Sequence, residues 1–200
     1  VNYATSNGTA TAGTDYIASS GTLTFAAGTT ARTFTVPVLA DSADEDNETA
    51  TITLSSATNA TISDATGILT IADDDDAPSL SINDVTTSNE NAVNATFTAT
   101  LSAASSRVIT ADYATTNGTA TAGADYTDSS GTVTFAAGTT SQTFTVPVLA
   151  DSVDEPNETA TMTLSNASNA VLSDATGTLT ITDDDAVPSL SINNVTTSNE

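Results

Sequence analysis

The chain contains no cysteine, no histidine and no tryptophan, and its 200 residues carry only two cations, Arg32 and Arg107. Without cysteine there are no disulfides and no thiolate chemistry. Without histidine the commonest general base and transition-metal ligand is missing. Without lysine, internal Lys–Asn cross-links are excluded as a way of hardening the chain. Against the two arginines stand 25 acids, for a formal charge of −23. A surface of that sign repels nucleic acid and anionic membrane, so neither is expected as a partner. There is no run of 18 apolar residues and no basic stretch, so direct membrane insertion is not expected. The acids cannot be neutralised by the protein's own side chains. Solvent, salt or a bound cation has to do it.

What is present is repetition. Residues 1–90 align with residues 111–200 at a shift of about 110 without a gap, and roughly three-quarters of the pairs are identical. Tyr3-Ala-Thr becomes Tyr113-Ala-Thr, and Ser79-Leu-Ser-Ile-Asn becomes Ser189-Leu-Ser-Ile-Asn. A period near 110 is too long for a solenoid coil and suits a β-sandwich domain. The expected division is a partial repeat over 1–77 lacking its first two strands, a complete repeat over 78–187, and the first strand of a third over 188–200. Loose ends of this kind expose sheet edges. Continuation of the covalent chain in both directions is the favoured reading. Strand addition between identical subunits is the other, since one terminal strand replaces only one of the two missing.

Few aromatics and few cations would suit a disordered chain, yet the patterning is that of strands. Threonine is roughly a fifth of the residues, and Thr, Val, Ile and Phe alternate in short runs. In the complete repeat, Leu80 and Ile82, then Phe97 and Leu101, Ile109 and Tyr113, Val133 and Phe135, Phe144 and Val146, Met162 and Leu164, and Leu179 and Ile181 mark seven inward-facing sets. The fold class predicted is all-β: tandem seven-stranded antiparallel sandwiches in a linear array. Pro147 inside a strand predicts an edge or bulge position. No stretch shows a useful 3.6-residue apolar stripe. Small inward residues such as Ala95, Ala99 and Ala160 predict a thin core that needs a stabiliser from elsewhere.

The acids gather at four places: Glu90, Asp125, the set Asp151, Asp154, Glu155 and Glu158, and the run Asp183–Asp185. With their counterparts, these places hold 18 of the 25 acids. Loops joining alternate strands of a sandwich emerge at one pole, so these carboxylates can converge, and gathered without a cation they repel by several kcal/mol, on the order expected of like charges near a surface. An all-oxygen, multi-carboxylate set selects a hard cation, Ca2+ above Mg2+. The bland alternative is a solvated loop, and for Asp125 an Asx-turn. Asp64 and Asp174 read as turn residues. Asp84, Asp112 and Asp128 lack an acidic partner in the neighbouring repeat and are expected on the surface.

Tyr113 to Ala120 (Tyr-x-Thr-x-x-Gly-Thr-Ala), Gly123 to Tyr126, Gly131 to Gly138, Asp151 to Glu158 and Asp183 to Asp185 together resemble the Calx-beta domain, and Tyr3 to Asp75 carries the same set. The resemblance implies an immunoglobulin-like sandwich with several Ca2+ ions at one pole, in a family found in sodium–calcium exchangers, integrin β4 and long bacterial surface proteins. It implies as ligands Glu90, Asp125, Asp151, Glu155, Glu158, Asp183, Asp184 and Asp185. In the first repeat it implies Asp15, Asp41, Glu45, Glu48, Asp73, Asp74 and Asp75. Ala40 and Ala150 stand where fuller sites carry an acid, which puts one ion position in doubt. The first repeat's counterpart of Glu90 falls outside the 200 residues.

These readings predict a non-enzymatic calcium-binding structural repeat of an extracellular adhesin, stalk or fibre on a bacterial surface, with Ca2+ stiffening the domain junctions. Its partners would be neighbouring repeats or identical subunits, with any cell-surface or matrix ligand bound elsewhere. A calcium-sensing regulatory module is the runner-up. Glycosidase chemistry by paired carboxylates lacks a Trp platform and a His. Ice binding through Thr-x-Thr faces lacks a closely stacked ladder. The Asn-x-Thr sequons are explained by the abundance of threonine.

Overall fold

The computed structural model describes residues 1–91 and 94–198. Every regular element among them is a β-strand. The first four are β1 (Asn2–Asn7), β2 (Ser20–Thr22), β3 (Glu48–Ser55) and β4 (Thr66–Ile71). Nine follow: β5 (Ser79–Ile82), β6 (Val85–Thr86), β7 (Asn94–Leu101), β8 (Ile109–Asn117), β9 (Ser130–Phe135), β10 (Ser141–Pro147), β11 (Glu158–Ser168), β12 (Val171–Asp174) and β13 (Thr176–Ile181). The chain divides into two compact units. One comprises Val1–Ala77 with Ala104–Arg107, the other Pro78–Ala103 with Val108–Glu200.

The second unit is a sandwich of a four-stranded sheet, β10-β7-β5-β12, and a five-stranded sheet, β6-β13-β11-β8-β9. Strict alternation builds it: β7 buries Ala95, Phe97, Ala99 and Leu101 and turns its Thr residues outward. Phe97, Phe135, Ile109, Met162, Leu164 and Leu179 form the fully buried centre. Tyr113 stacks on Phe144 with ring centroids 4.1 Å apart. Pro147 closes β10, an edge strand, where its missing N–H breaks no ladder.

The all-β sandwich expected from the sequence is observed, with two differences in detail. The count is nine strands because the first one divides, β5 joining one sheet and after a short break β6 the other, and because a further short strand, β12, precedes the last. The pairing is not wholly antiparallel. β5 runs parallel to β12, and β6 parallel to β13. Alternation within a strand does not encode such a switch between sheets.

The first unit has a single sheet, β2-β1-β3-β4, whose members match β9, β8, β11 and β13 at the repeat shift. The counterparts of β5 and β7 fall outside the 200 residues. Thr33-Phe-Thr-Val-Pro therefore stays outside any strand although the identical Thr143-Phe-Thr-Val-Pro lies in β10. A strand exists only where a neighbour takes its N–H and C=O groups. For the same reason residues 188–198 of the segment 188–200, read from the sequence as the first strand of a third repeat, are not a strand here, and residues 199 and 200 lie outside the described ones.

The same residue is thus buried in one unit and open in the other: Phe135 is 0% exposed, its counterpart Phe25 46%. Phe97→Ala should destabilise the second unit by about 3–5 kcal/mol, the usual cost of emptying an aromatic core position. Phe25→Ala should change the stability of the first unit by about 1 kcal/mol or less. Urea unfolding followed by tyrosine fluorescence checks the contrast, which equal effects of the two substitutions would contradict.

Candidate metal centre

The loop from Asn117 to Tyr126 presents the first acid of the second unit. Asn117 Oδ1 accepts from the Ala122 N–H (3.0 Å) and from the Tyr126 hydroxyl (2.6 Å), tying the loop at both ends. A Cβ at Gly118 would lie 2.4 Å from the Thr159 carbonyl, so only glycine fits against β11. Gly123 takes the left-handed turn at φ +90°. Asp125 then closes the loop with its Oδ2 accepting from the Thr121 N–H at 2.6 Å. Both readings of Asp125 therefore meet in one side chain: it makes the turn, and it stands among other carboxylates.

Those neighbours are Glu155, from the loop before β11, and Glu158, the first residue of β11. One carboxylate oxygen from each of Asp125, Glu155 and Glu158 lies within 4.8 Å of the others. Glu90, past β6, forms a second such group with Asp183 and Asp185, past β13. Asp151 contributes charge to both, raising the carboxyls of Glu90 and Glu155, while its Oδ1 accepts from the Val153 N–H at 2.7 Å. Asp184 is in neither group; its carboxylate accepts from Asn91 Nδ2 at 3.0 and 3.2 Å.

The first unit repeats part of this. Asp15, Glu45 and Glu48 place carboxylate oxygens within 4.8 Å of one another. A depression of about 90 Å³ is lined by these three together with Asp41, Asp73, Asp74 and Asp75. Asp41 Oδ1 is engaged by the Ala43 N–H at 2.8 Å. Asp44, which the sequence reading passed over in this repeat, is 4% exposed. It accepts from Ser105 Oγ at 2.7 Å, and Arg107 bridges Asp44 and Asp46. Ser105 and Arg107 belong to no repeated motif, so nothing in the sequence signals that Asp44 is the acid they hold.

In the second unit the electrostatics are those of a site lacking positive charge, whereas in the first Arg107 stands beside the acids on Asp44 and Asp46. Burial, a hydrogen bond to Asp125 and the nearby Asp125, Glu155 and Glu90 charges push the Glu158 carboxyl up to about 7. Burial first, then neighbouring carboxylates, also raise Glu90, Glu155, Asp185, Glu45, Glu48 and Asp75. The donor set fits a hard divalent cation. All donors are oxygens, and two oxygens bound to one Ca2+ at about 2.3–2.6 Å lie no more than about 5 Å apart, which is the spacing of these groups.

Three acids outside the site do more than decorate the surface. Asp84 Oδ1 accepts from the Thr178 N–H at 2.7 Å. Asp112 accepts from Thr132 Oγ1 and Asn166 Nδ2, which lower its pKa. Asp128 accepts from Thr115 Oγ1. Asp64 and Asp174 do close turns, onto the Thr66 and Thr176 N–H groups. Asn47 and Asn157, to which the sequence reading gave no part in the site, accept from the N–H groups of Asp73 and Asp183 and so fix the start of each acidic run.

The Calx-beta domain family profile matches residues 1–75 and 73–185. Among solved structures, the apo form of the Calx CBD1 domain is similar at 26% identity and a TM-score of 0.50, covering 54% of this chain and 98% of that one. CBD12 from CALX1.2 is similar at 19% identity and a TM-score of 0.49, covering 90% of this chain and 86% of that one. Comparison with curated proteins returned no match.

A raised carboxyl has a definite consequence for stability. With Glu158 near 7 in the folded protein against 4.5 when free, the folded state holds more protons between those values, and stability falls as pH rises through them. In chelator, the melting temperature of the chain should drop as pH climbs from about 4.5 to 7. Glu158→Gln should flatten that slope. Calorimetry across this window would contradict the assignment if stability rose instead.

Proposed function

Because the chain belongs to the Calx-beta domain family, we propose that it is a calcium-binding structural repeat of an extracellular stalk, fibre or adhesin. In this reading Ca2+ stiffens the passage from one domain to the next. The observation that carries the proposal is the gathering of Asp125, Glu155 and Glu158, and of Glu90, Asp183 and Asp185, into groups of carboxylates without a protein cation among them. An ion bound there offsets their repulsion and binds only the folded state, so it adds stability by mass action. In each repeat the acidic run stands a few residues before the proline, Pro78 or Pro188, that opens the next. An ion that orders Asp183–Asp185 therefore orders the chain leading out of the domain. Near-identity of the repeats supports a spacer, which needs length more than distinct surfaces. A stalk at a bacterial surface would sit in millimolar calcium, matched to extracellular sites with Kd on the order of 10⁻⁴–10⁻³ M.

A calcium-sensing regulatory module is the second reading. It is favoured by the likeness to an apo-form domain, since a sensor has to keep its fold when the ion leaves. What chelation does separates the two readings.

At a calcium concentration of about a hundred times Kd, each occupied site should add about 2.7 kcal/mol. That is a rise in melting temperature on the order of 10 °C for a domain of this size. Magnesium should give much less, and the double substitution Asp125→Asn with Glu158→Gln should remove the share of the Asp125–Glu155–Glu158 group, leaving that of Glu90, Asp183 and Asp185. Equal responses to calcium and magnesium would overturn the calcium assignment. Small-angle scattering completes the test: a stalk should lose extension and stability together in chelator, whereas a sensor should change extension with its melt nearly intact.

A further inference from the structure

The dipeptide Asn-Gly occurs twice, as Asn7-Gly8 and Asn117-Gly118, at the head of the same loop in each repeat. The fold demands both of its members. A Cβ at Gly118 would stand 2.4 Å from the Thr159 carbonyl, and one at Gly8 would stand 2.4 Å from the Thr49 carbonyl. Asn117 is demanded by its Oδ1, which takes both the Ala122 N–H and the Tyr126 hydroxyl. Asn7 does the same for Ala12 and Tyr16, at 2.9 and 2.7 Å. An aspartate could accept the same two bonds, but it would add a charge to the loop that presents Asp125. The amide is the neutral acceptor.

The same dipeptide is the one most open to cyclisation, because glycine has no side chain to keep its nitrogen from the neighbouring carboxamide. We infer that Asn117-Gly118, and Asn7-Gly8 with it, is a site of self-modification that the tied loop holds unreactive. In the reaction the Gly118 backbone nitrogen bonds to Asn117 Cγ and gives up its proton. The Cγ–Nδ2 bond breaks, and the amide nitrogen leaves as ammonia with that proton. Water then opens the cyclic imide at either carbonyl. Opening at Cγ gives aspartate in a normal main chain. Opening at the main-chain carbonyl gives isoaspartate, whose backbone runs through Cβ and Cγ.

The geometry shows what withholds the reaction. Cγ has to swing over the Gly118 nitrogen, whereas its oxygen is held towards residues further along the loop. Swinging it breaks both Oδ1 bonds and takes that acceptor from the buried Tyr126. The backbone on either side of the nitrogen is pinned as well. Asn117 is paired with Ala160. The Ala120 N–H donates to the Thr159 carbonyl at 2.9 Å, and the Thr159 N–H donates to Thr119 Oγ1 at 2.7 Å. Ala10, Thr49 and Thr9 repeat this pinning in the first unit. Asn117 itself is exposed, so water for the second step is at hand once the loop opens.

Isoaspartate makes the change one-way. It lengthens the main chain by a methylene and removes the carboxamide that tied Ala122 to Tyr126, so Asp125 loses the turn that places it.

The inference does not depend on calcium binding, and its test is run in chelator. The 200-residue chain is held in mildly alkaline buffer, native or in urea. It is then digested and read by mass spectrometry for conversion of amide to acid and for isoaspartate. In urea Asn7 and Asn117 should convert ahead of Asn166 and Asn169, which precede alanine. In the native chain both should convert slower by about tenfold or more. Tyr126→Phe removes one of the two donors to Asn117 and should speed conversion there by roughly two- to tenfold, with Asn7 unchanged. Tyr16→Phe should do the converse. The ratio of native to urea rates needs no variant, so it decides the matter even where a substitution unfolds its unit, as circular dichroism would show. Equal rates in the native chain and in urea overturn the inference. So does a folded Tyr126→Phe chain that converts at Asn117 no faster than the parent, or an Asn117 that in urea is no faster than Asn169.

Discussion

Repulsion among carboxylates is the constraint on which the ordered pole of each repeat depends. Asp125, Glu155 and Glu158 approach within 4.8 Å because three separate backbone devices aim them together. These are the tied loop from Asn117 to Tyr126, the loop leading into β11, and the first position of β11 itself. None of these devices is electrostatic, and together they hold the charges against their own field. Burial first, and then the hydrogen bond and charge of Asp125, raise the Glu158 carboxyl. A pole built this way by neutral hydrogen bonds is preorganised for a cation, since the ordering cost is met by the fold before the ion arrives.

The second constraint is that strands are made in pairs. Thr33-Phe-Thr-Val-Pro and Thr143-Phe-Thr-Val-Pro are the same residues with the same local preferences, yet only the latter is a strand. Intrinsic propensity is equal in the two, so the difference is entirely that β10 has β7 beside it. Aromatic packing follows suit. Tyr3 still stacks on Phe34 at 4.1 Å, as Tyr113 does on Phe144. What the first unit lacks is the opposing sheet, which turns such a contact into a core.

How much could be read in advance follows from these two constraints. Alternation of Ala95, Phe97, Ala99 and Leu101 declares a strand with one buried face, because a period of two is a local property. The groups of acids were legible because their spacing repeats across 110 residues. The division of the first strand into β5 and β6, and their parallel pairing, was not legible. It depends on which sheet edge each half meets, and nothing in Asn83-Asp84 says so until Thr178 is placed opposite. The partners of Asp84, Asp112 and Asp128 were hidden for the same reason. A hydroxyl or amide 13 to 94 residues away carries no signal in a chain crowded with threonine. Arg107 was equally silent, since it belongs to no motif, and Asp44 stood in the acidic run with nothing to set it apart from its neighbours.

Near-identity between repeats also removes sequence as a means of choosing a partner. Ser79–Ile82 and Ser189–Ile192 are chemically the same strand, so any sandwich face that accepts one accepts the other equally well. Selection then has to come from connection. A strand joined to its own domain by a short link is present at an effective concentration in the millimolar range, whereas a strand on another molecule is present only at its solution concentration. The second unit, whose β5 is covalently in place, is therefore closed to exchange under dilute conditions. An array of identical domains built by this rule is kept in register by its linkers, and the uniformity that suits a spacer is also what makes any uncovered face complementary to its own kind.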